Sequence, residues 1–558
     1  MFKASFNGNF NGYNFNPNFK QSNTKKTKHF IICLIISIIV ALGAWYFLYP
    51  VLNWHSPVFV TNIFILTILV FVVCSIAFVD RVITSKTYSK ILKSYFFILF
   101  ALVILVIVLN VFSSPLFNAK EYASRIQIVE TDFDTISEVD FNKTPIIDRY
   151  STEALGDRVM GQMPELVSQF EVSNDYTQIS YKDSVYRVTP LEYADFYKYL
   201  TNRSEGIPAY ILVNSTTGEA SLVKLKDLGL DGMKYVPSAM LNENLNRKLQ
   251  LQYPTEIFGS PSFEIDEDGH PWYVCTTYTY KAMGNKKSVK GVVLFDPITG
   301  DSTKYDNILD APKWIDRVYP ESLITQEINN YGSLKDGFLN SIFGQKNVVQ
   351  TSEGYNYLEK DGDIWIYSGI TSVSSDSANL GFVLANLRTH EALRINSAGA
   401  DEFSAMNSAE GEVKNYGYYS TFPLLVNVGG RPVYLVALKD NAGLIKMYAM
   451  IDATDYQKVV TVSAEEGLPA LKKKFVNAIG SNSINLDQLK TKTITIAKVD
   501  YFVLDGQTKA YITTNTNEKY KVVMNDANEN IVAFLNTDDK IKVEYYEADV
   551  NVIQNIEK

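Results

Sequence analysis

Thiol and imidazole chemistry has little to work with in this chain. Its 558 residues carry three cysteines and four histidines. Cys33 and Cys74 fall in long apolar runs, which leaves Cys275, His270 and His390 in the polar remainder. Nucleophilic catalysis needs a nucleophile, a base and an orienting group in mutual reach. Cys275 lies in the apolar stretch from Trp272 to Thr277 and reads as buried filler. His270 follows the Asp268-Gly269 turn and His390 occupies a turn position of its own, so both read as structural hairpin residues. No CxxC or HExxH spacing offers the convergent ligands of a zinc site. Ser221-Leu222-Val223-Lys224 matches the S-x-x-K pattern of penicillin-binding enzymes. That chemistry needs both side chains on one helical face, whereas this segment reads as a strand and turns them to opposite faces. Asp266-Glu267-Asp268-Gly269 begins like a calcium loop, but its glycine comes too early and no Glu closes it. There is no P-loop and no GxGxxG after a strand. The sequence therefore nominates no catalytic, cofactor-binding or metal-ligating residue. Carboxylates stay open, because 60 Asp and Glu lie beyond residue 113 and any two could meet in a cleft.

The elements that position these residues divide sharply by composition. Residues 30 to 113 are almost continuously apolar, with runs from Phe30 to Tyr49, Val58 to Val79 and Tyr95 to Phe112. Each is close to the 20 or so residues that cross a bilayer as a helix. Lys20, Lys25, Lys26 and Lys28 precede the first run, and Arg81, Lys86, Lys90 and Lys93 come after the second. The positive-inside rule places both segments in the cytoplasm and everything after residue 113 outside. A rival reading makes the first run a cleaved signal peptide. Beyond residue 113, 43 Lys and Arg face 60 acids, a net charge of −17. Such a region repels phosphate backbones, which excludes nucleic acid as a partner.

Four segments of the outer region share one pattern, an apolar strand ending in Asn or Asp, then a turn, then another strand. They are Tyr210 to Glu219, Val292 to Asp301, Phe382 to Glu391 and Tyr448 to Gln457, anchored on Asn214, Asp296, Asn386 and Asp452. Asn or Asp caps its own backbone in such a turn, and Gly218 and Gly300 take the positive-φ position. His390 and Tyr456 stand at that position in the last two copies, so those turns must differ in type or be strained. A second hairpin lies upstream of each anchor, through Lys182-Asp183, Asp268-Gly269, Asp361-Gly362 and Gly429-Gly430. Helices are expected between units at Ser238 to Leu251, Pro320 to Phe343 and Ser463 to Ile479, the last with a Ser463/Glu466 capping box and a stop at Gly480. Helices laid across repeated antiparallel sheets give an α+β architecture.

A helix followed by antiparallel strands and an Asp-x-x-Thr-Gly-Asp/Glu hairpin resembles the PepSY domain of bacterial exported and membrane proteins. The copies ending at Glu219 and Asp301 carry the resemblance. It implies a role in restraining or assisting exported peptidases. The segment Trp314 to Pro320 is similar to one in uncharacterised Gram-positive membrane proteins. Residues 491 to 548, with strands around an Asp505-Gly506 turn, resemble an OB-type or SH3-like barrel.

The expected organisation is a disordered cytoplasmic tail over 1–29, three transmembrane α-helices over 30–113 and a juxtamembrane connector over 114–164. Repeated α+β units over 165–480 and a small β-barrel over 481–558 complete it. The expected function is that of a multi-pass, membrane-anchored binding or regulatory protein of the cell envelope. It is non-enzymatic, needs no cofactor, sits in the lipid bilayer and meets an envelope protein or peptide partner. The alternative is an envelope hydrolase or peptidase-associated enzyme that works through carboxylates.

Overall fold

The computed structural model describes residues 23–77, 86–141, 143–282, 285–373, 375–397, 399–479, 489–504, 507–524, 528–546 and 550–557. The tail over 1–22, the loop at Arg81, the helix stop at Gly480 and the Asp505-Gly506 turn lie outside them. The chain forms two compact units, residues 1–107 and 108–558.

The first unit is helical, with helices Asn23–Leu48 and Pro57–Ala77 and most of helix Lys86–Phe112. The expectation of three membrane spans is corrected here. Among the described residues only Lys93–Phe112 is long and apolar enough to cross a membrane. The other apolar stretches described, Ile38–Leu48 and Pro57–Ile68, fall short of the roughly 20 residues that about 30 Å of hydrocarbon demands.

The second unit is mostly β-sheet, which also corrects the expected balance of helix and strand. Four sheets repeat one antiparallel plan. In the first, the two short strands Phe170–Val172 and Thr177–Tyr181 both pair with the long strand Ser184–Tyr193. That strand pairs with Ala209–Asn214, which pairs with Ala220–Lys224. The first edge is thus one strand broken in two. The second sheet repeats this with Ile257–Phe258, Ser262–Ile265, Pro271–Ala282, Asn285–Phe295 and Ser302–Tyr305. The third does so with Val349–Thr351, Asn356–Lys360, Asp363–Ser372, Ser375–Asn386 and Ala392–Ile395. The fourth uses Tyr419–Ser420, Leu424–Val428, Arg431–Lys439, Ile445–Asp452 and Asp455–Ser463. The connector adds strand Ile128–Thr131 to the third sheet, parallel to Ala392–Ile395.

The anchors hold the turns between the last two strands of each sheet. Asn214 Oδ1 accepts the N–H groups of Thr216 and Thr217, and Asp296 Oδ1 those of Ile298 and Thr299. Asn386 Oδ1 does the same for Arg388 and Thr389. The third turn is therefore of the same type as the first two, and His390 enters the left-handed region at φ 67°. Its side chain compensates: Nε2 lies 2.6 Å from Glu327 Oε2, and the ring stacks on Tyr319 with centroids 4.3 Å apart. The fourth turn is shorter. Asp452 pairs directly with Asp455, so Tyr456 already belongs to the next strand.

The carbonyl just after each anchor then receives the chain that leads into a helix. Ile147 N–H donates to Ser215, Lys234 and Tyr235 to Pro297, Val318 and Tyr319 to Leu387, and Ala400 to Ala453, all between 2.8 and 3.0 Å. Helices Arg149–Gly161, Leu245–Gln252, Glu321–Leu334 and Glu402–Glu412 come after these docking points. Asp148, Asn244 and Asp401 cap three of them. Each helix thus begins its unit. The Ser463/Glu466 box forms as expected, but the helix it introduces starts only at Gly467.

One hydrophobic core joins the first and second sheets around Tyr210, Phe263 and Phe295, and another joins the third and fourth around Tyr367, Tyr434 and Leu435. The C-terminal strands Leu489–Leu504, Gln507–Thr514, Lys519–Val523, Lys540–Tyr546 and Asn551–Glu557 close a barrel. Its last strand, unmarked by any turn signal, closes the ring by pairing in parallel with Lys519–Val523.

Gly300 sits at φ 80°, and a Cβ there would meet Lys248 Nζ and Tyr235 Cε2 at 2.7 Å. A Cβ on Gly218, at φ 73°, would meet nothing closer than 3.5 Å. We expect Gly300→Val to destabilise the protein by about 1–3 kcal/mol and Gly218→Ala by less. Thermal melting of the full chain in detergent checks both, and equal melting temperatures for Gly300→Val and the parent would show the turn to be unstrained.

Candidate functional site

Two hairpin tips, the strand that leads into a third and the connector line a cavity of the second unit, about 540 Å³ in volume. Each tip is a two-residue turn that needs positive φ at both central residues. Lys182 and Asp183 adopt φ 50° and 60°, Asp361 and Gly362 58° and 84°, and Gly429 and Gly430 63° and 79°. Asn427 fixes the connector across the opening. Its carbonyl accepts the N–H of Val139 at 2.9 Å, and its Nδ2 donates to the Ile136 carbonyl at 2.7 Å. Glu138 accepts the Gly429 N–H at 2.8 Å and pairs with Lys472 Nζ at 2.7 Å. Leu358, Leu424 and Val426 give the cavity an apolar floor. Asp140, Asp183, Glu359 and Asp361 join Glu138 on its rim, against Lys143 and Lys360. This is a volume suited to a small ligand or a short length of chain.

A second constellation lies where the first three sheets meet. Glu264 is fully buried and Asp316 is 2% exposed. Glu264 accepts the N–H groups of Asp316 at 2.8 Å and Arg317 at 3.2 Å, and the Ser262 hydroxyl at 3.2 Å. Asp316 accepts the Ser180 N–H at 2.7 Å. Burial raises both carboxyls, and Glu264 is pushed up to about 7. Asp316 is raised well above the usual range, because burial is joined by the Glu264 and Asp363 charges, against the Ser180 N–H and the Arg388 charge. Three donors on Glu264 favour its ionised form, so Asp316 is the group that holds the proton. Nearby, Arg317 forms a double contact with Glu321 at 2.8–3.1 Å, and Arg388 one with Asp363 at 2.7–2.8 Å. Sequence reading missed the acid pair. The residues are 52 apart, and Asp316 lay in the Trp314 to Pro320 segment, which carried a resemblance and no chemistry.

The residues singled out by type stand apart from the cavity. Cys275 is buried in the core of the first two sheets, and burial pushes its thiol up. His270 closes the Asp266 turn, its Nε2 3.5 Å from Asp296 Oδ2. Asp266 spends its Oδ1 on the Asp268 and His270 N–H groups and its Oδ2 on the Trp272 indole, which leaves it engaged by the protein itself. Ser221 and Lys224 lie on strand Ala220–Lys224, so they point to opposite faces. Among the described residues no three His, Cys, Asp or Glu gather as metal ligands. The cavity carboxylates had no recognisable spacing, since the tips that carry them are some 180 residues apart; only the paired turn signals marked them.

No protein-family model and no curated protein matches the chain. Two solved structures show faint similarity. An α-L-arabinofuranosidase from Lactobacillus brevis aligns over 68% of this chain and 92% of its own, at 9% identity and a TM-score of 0.15. The polysaccharide lyase Uly1 aligns over 68% and 70%, at 10% identity and a TM-score of 0.14. Similarity this slight carries no argument about function.

The buried acid pair gives a pH prediction. A carboxyl whose folded pKa is raised binds its proton more tightly in the native state, so its contribution falls as pH rises from about 4 through the folded value. Asp316→Asn keeps the acceptor for Ser180 and removes that titration. We expect its unfolding free energy, measured by denaturant titration, to gain on the parent's as pH rises from about 5 to about 8, by about 1.4 kcal/mol for each unit of raised pKa. A difference independent of pH would show that Asp316 is not the protonated partner.

Proposed function

We propose that this protein is a membrane-anchored binding or regulatory protein of the cell envelope, and that the cavity under the connector is its ligand site. The observation that carries the reading is the cavity itself. It is assembled from three separate sheets and the connector, with an apolar floor and a charged rim. The anchor is the helix Lys93–Phe112, whose candidate membrane-crossing stretch has no part buried within the protein. Lys86, Lys90 and Lys93 at its start favour a cytoplasmic origin for the helix and an outer location for the residues beyond it. The PepSY-like reading of the units rests on their order, a helix and then antiparallel strands ending in an Asx turn. A non-enzymatic role is supported by where the raised acids lie. Glu264, Asp316 and Glu402, the acids that burial raises among the described residues, are sealed from solvent, out of reach of a polymeric substrate.

The test is site-specific photocrosslinking in cells. A benzoylphenylalanine placed at Asp183 or Lys143, on the cavity rim, should give the same adduct from both positions. One placed at Phe502, 51% exposed on the barrel, should not. The reading falls if neither rim position gives an adduct, or if Phe502 gives the same one.

A further inference from the structure

The cavity lies between two strand edges. Among the described residues, strand Asn356–Lys360 pairs only with Asp363–Ser372. Strand Leu424–Val428 pairs with Arg431–Lys439 and otherwise makes only a single bridge to Glu138. In a two-residue hairpin the pair flanking the turn is hydrogen-bonded, and pairs alternate from there. Lys360 and Asp363 flank one turn, so Glu359 turns its backbone N–H and C=O away from its partner strand. Val428 and Arg431 flank the other, so Asn427 and Leu425 face outward. Two facts agree with this register. Pro432, opposite Asn427, has no N–H to give, and Val139 donates to the Asn427 carbonyl from outside. No described backbone N–H from outside its own sheet donates to the Leu425 or Glu359 carbonyl. The connector thus bridges this edge at Asn427 alone and leaves the Leu425 position unfilled by any described backbone donor from outside the sheet.

Charge selects the occupant. Five carboxylates line the cavity against two lysines; Lys360 is paired with Asp361, and Glu138 with Lys472 from outside the lining, so Asp183 and Glu359 carry the selection. We propose that the cavity takes an extended peptide segment rich in lysine or arginine, added as a strand along Leu424–Val428. Its backbone bonds to the Leu425 carbonyl, its cations reach Asp183 and Glu359, and its alternate side chains rest on Leu358 and Leu424. Strand addition supplies affinity that tolerates sequence, and the side-chain positions supply preference. The proposal rests on the cavity being the ligand site.

The probe is a fluorescein-labelled peptide of about ten residues alternating Lys and Val, titrated by anisotropy against the full chain in detergent. Saturable binding below about 1 mM is expected, weakening as salt rises. Two control peptides use the unaltered protein. One carries Glu for Lys and should bind at least about tenfold more weakly. The other is N-methylated at alternate residues, which removes the donors along one edge, and should not bind. Asp183→Lys and Glu359→Gln, which keeps an acceptor for the Gly362 N–H, should each weaken the Lys peptide. No saturation, equal binding of the Lys and Glu peptides, or indifference to N-methylation would overturn the proposal. Crosslinks at Asp183 without peptide binding would mean that the ligand class is wrong while the binding site stands; loss of both would remove the site.

Discussion

One backbone contact recurs in every unit and sets how the units succeed each other. An Asx side chain folds the turn, which leaves the next carbonyl pointing outward, and that carbonyl captures the chain arriving at a helix. Ser215, Pro297, Leu387 and Ala453 play this part in the four units. A buried carbonyl left unpaired costs free energy, so the arriving segment is held in one register. The helix after it is then placed against the sheet that it opens. Remove the turn and both the sheet's last strand and the entry to its helix lose their reference.

The capture is unequal in reach. Ser215 takes Ile147, only two residues after the connector has crossed the cavity, so the connector is pinned at one end by the first sheet. Its other end joins the third sheet as strand Ile128–Thr131, and Asn427 of the fourth holds its middle. A segment of about twenty residues thus stitches three sheets together, and the cavity is the space left beneath it. Buried charge concentrates at the same junctions. Lys439, 1% exposed, meets Asp148 at 2.7 Å just after the connector, and Arg187 reaches the Ile147 carbonyl at 2.9 Å. These groups were given partners because an unpaired charge there would be costly.

Local signals in the sequence were read most securely where the backbone itself imposes a requirement. Asp361-Gly362 and Gly429-Gly430 are turns because their positive φ values suit few other residues. His390 shows the limit of that rule. A non-glycine residue at φ 67° looked like a break in the pattern, yet Glu327 and Tyr319, more than 60 residues upstream, hold it in place. Tyr456 fails in the opposite direction, since the turn it was assigned to closes before reaching it. The apolar runs misled in another way. Among the described residues their apolar stretches, Ile38–Leu48 and Pro57–Ile68, are shorter than a membrane span.

Sequence by itself determined the glycine-marked turns, the anchors, the sign of the charge beyond residue 113 and the scarcity of cysteine and histidine there. Each of these is a property of residue type and short spacing, governed by φ preferences, side-chain capping and counting. Only the tertiary structure decided where each helix docks on its sheet, that the third turn tolerates histidine and that the barrel closes with Asn551–Glu557 in parallel. It also brought Asp183, Glu359 and Asn427 to one cavity and buried Glu264 against Asp316. Those arrangements depend on contacts across about 30 to 250 residues, where burial and backbone pairing choose the partner and no local pattern records the choice.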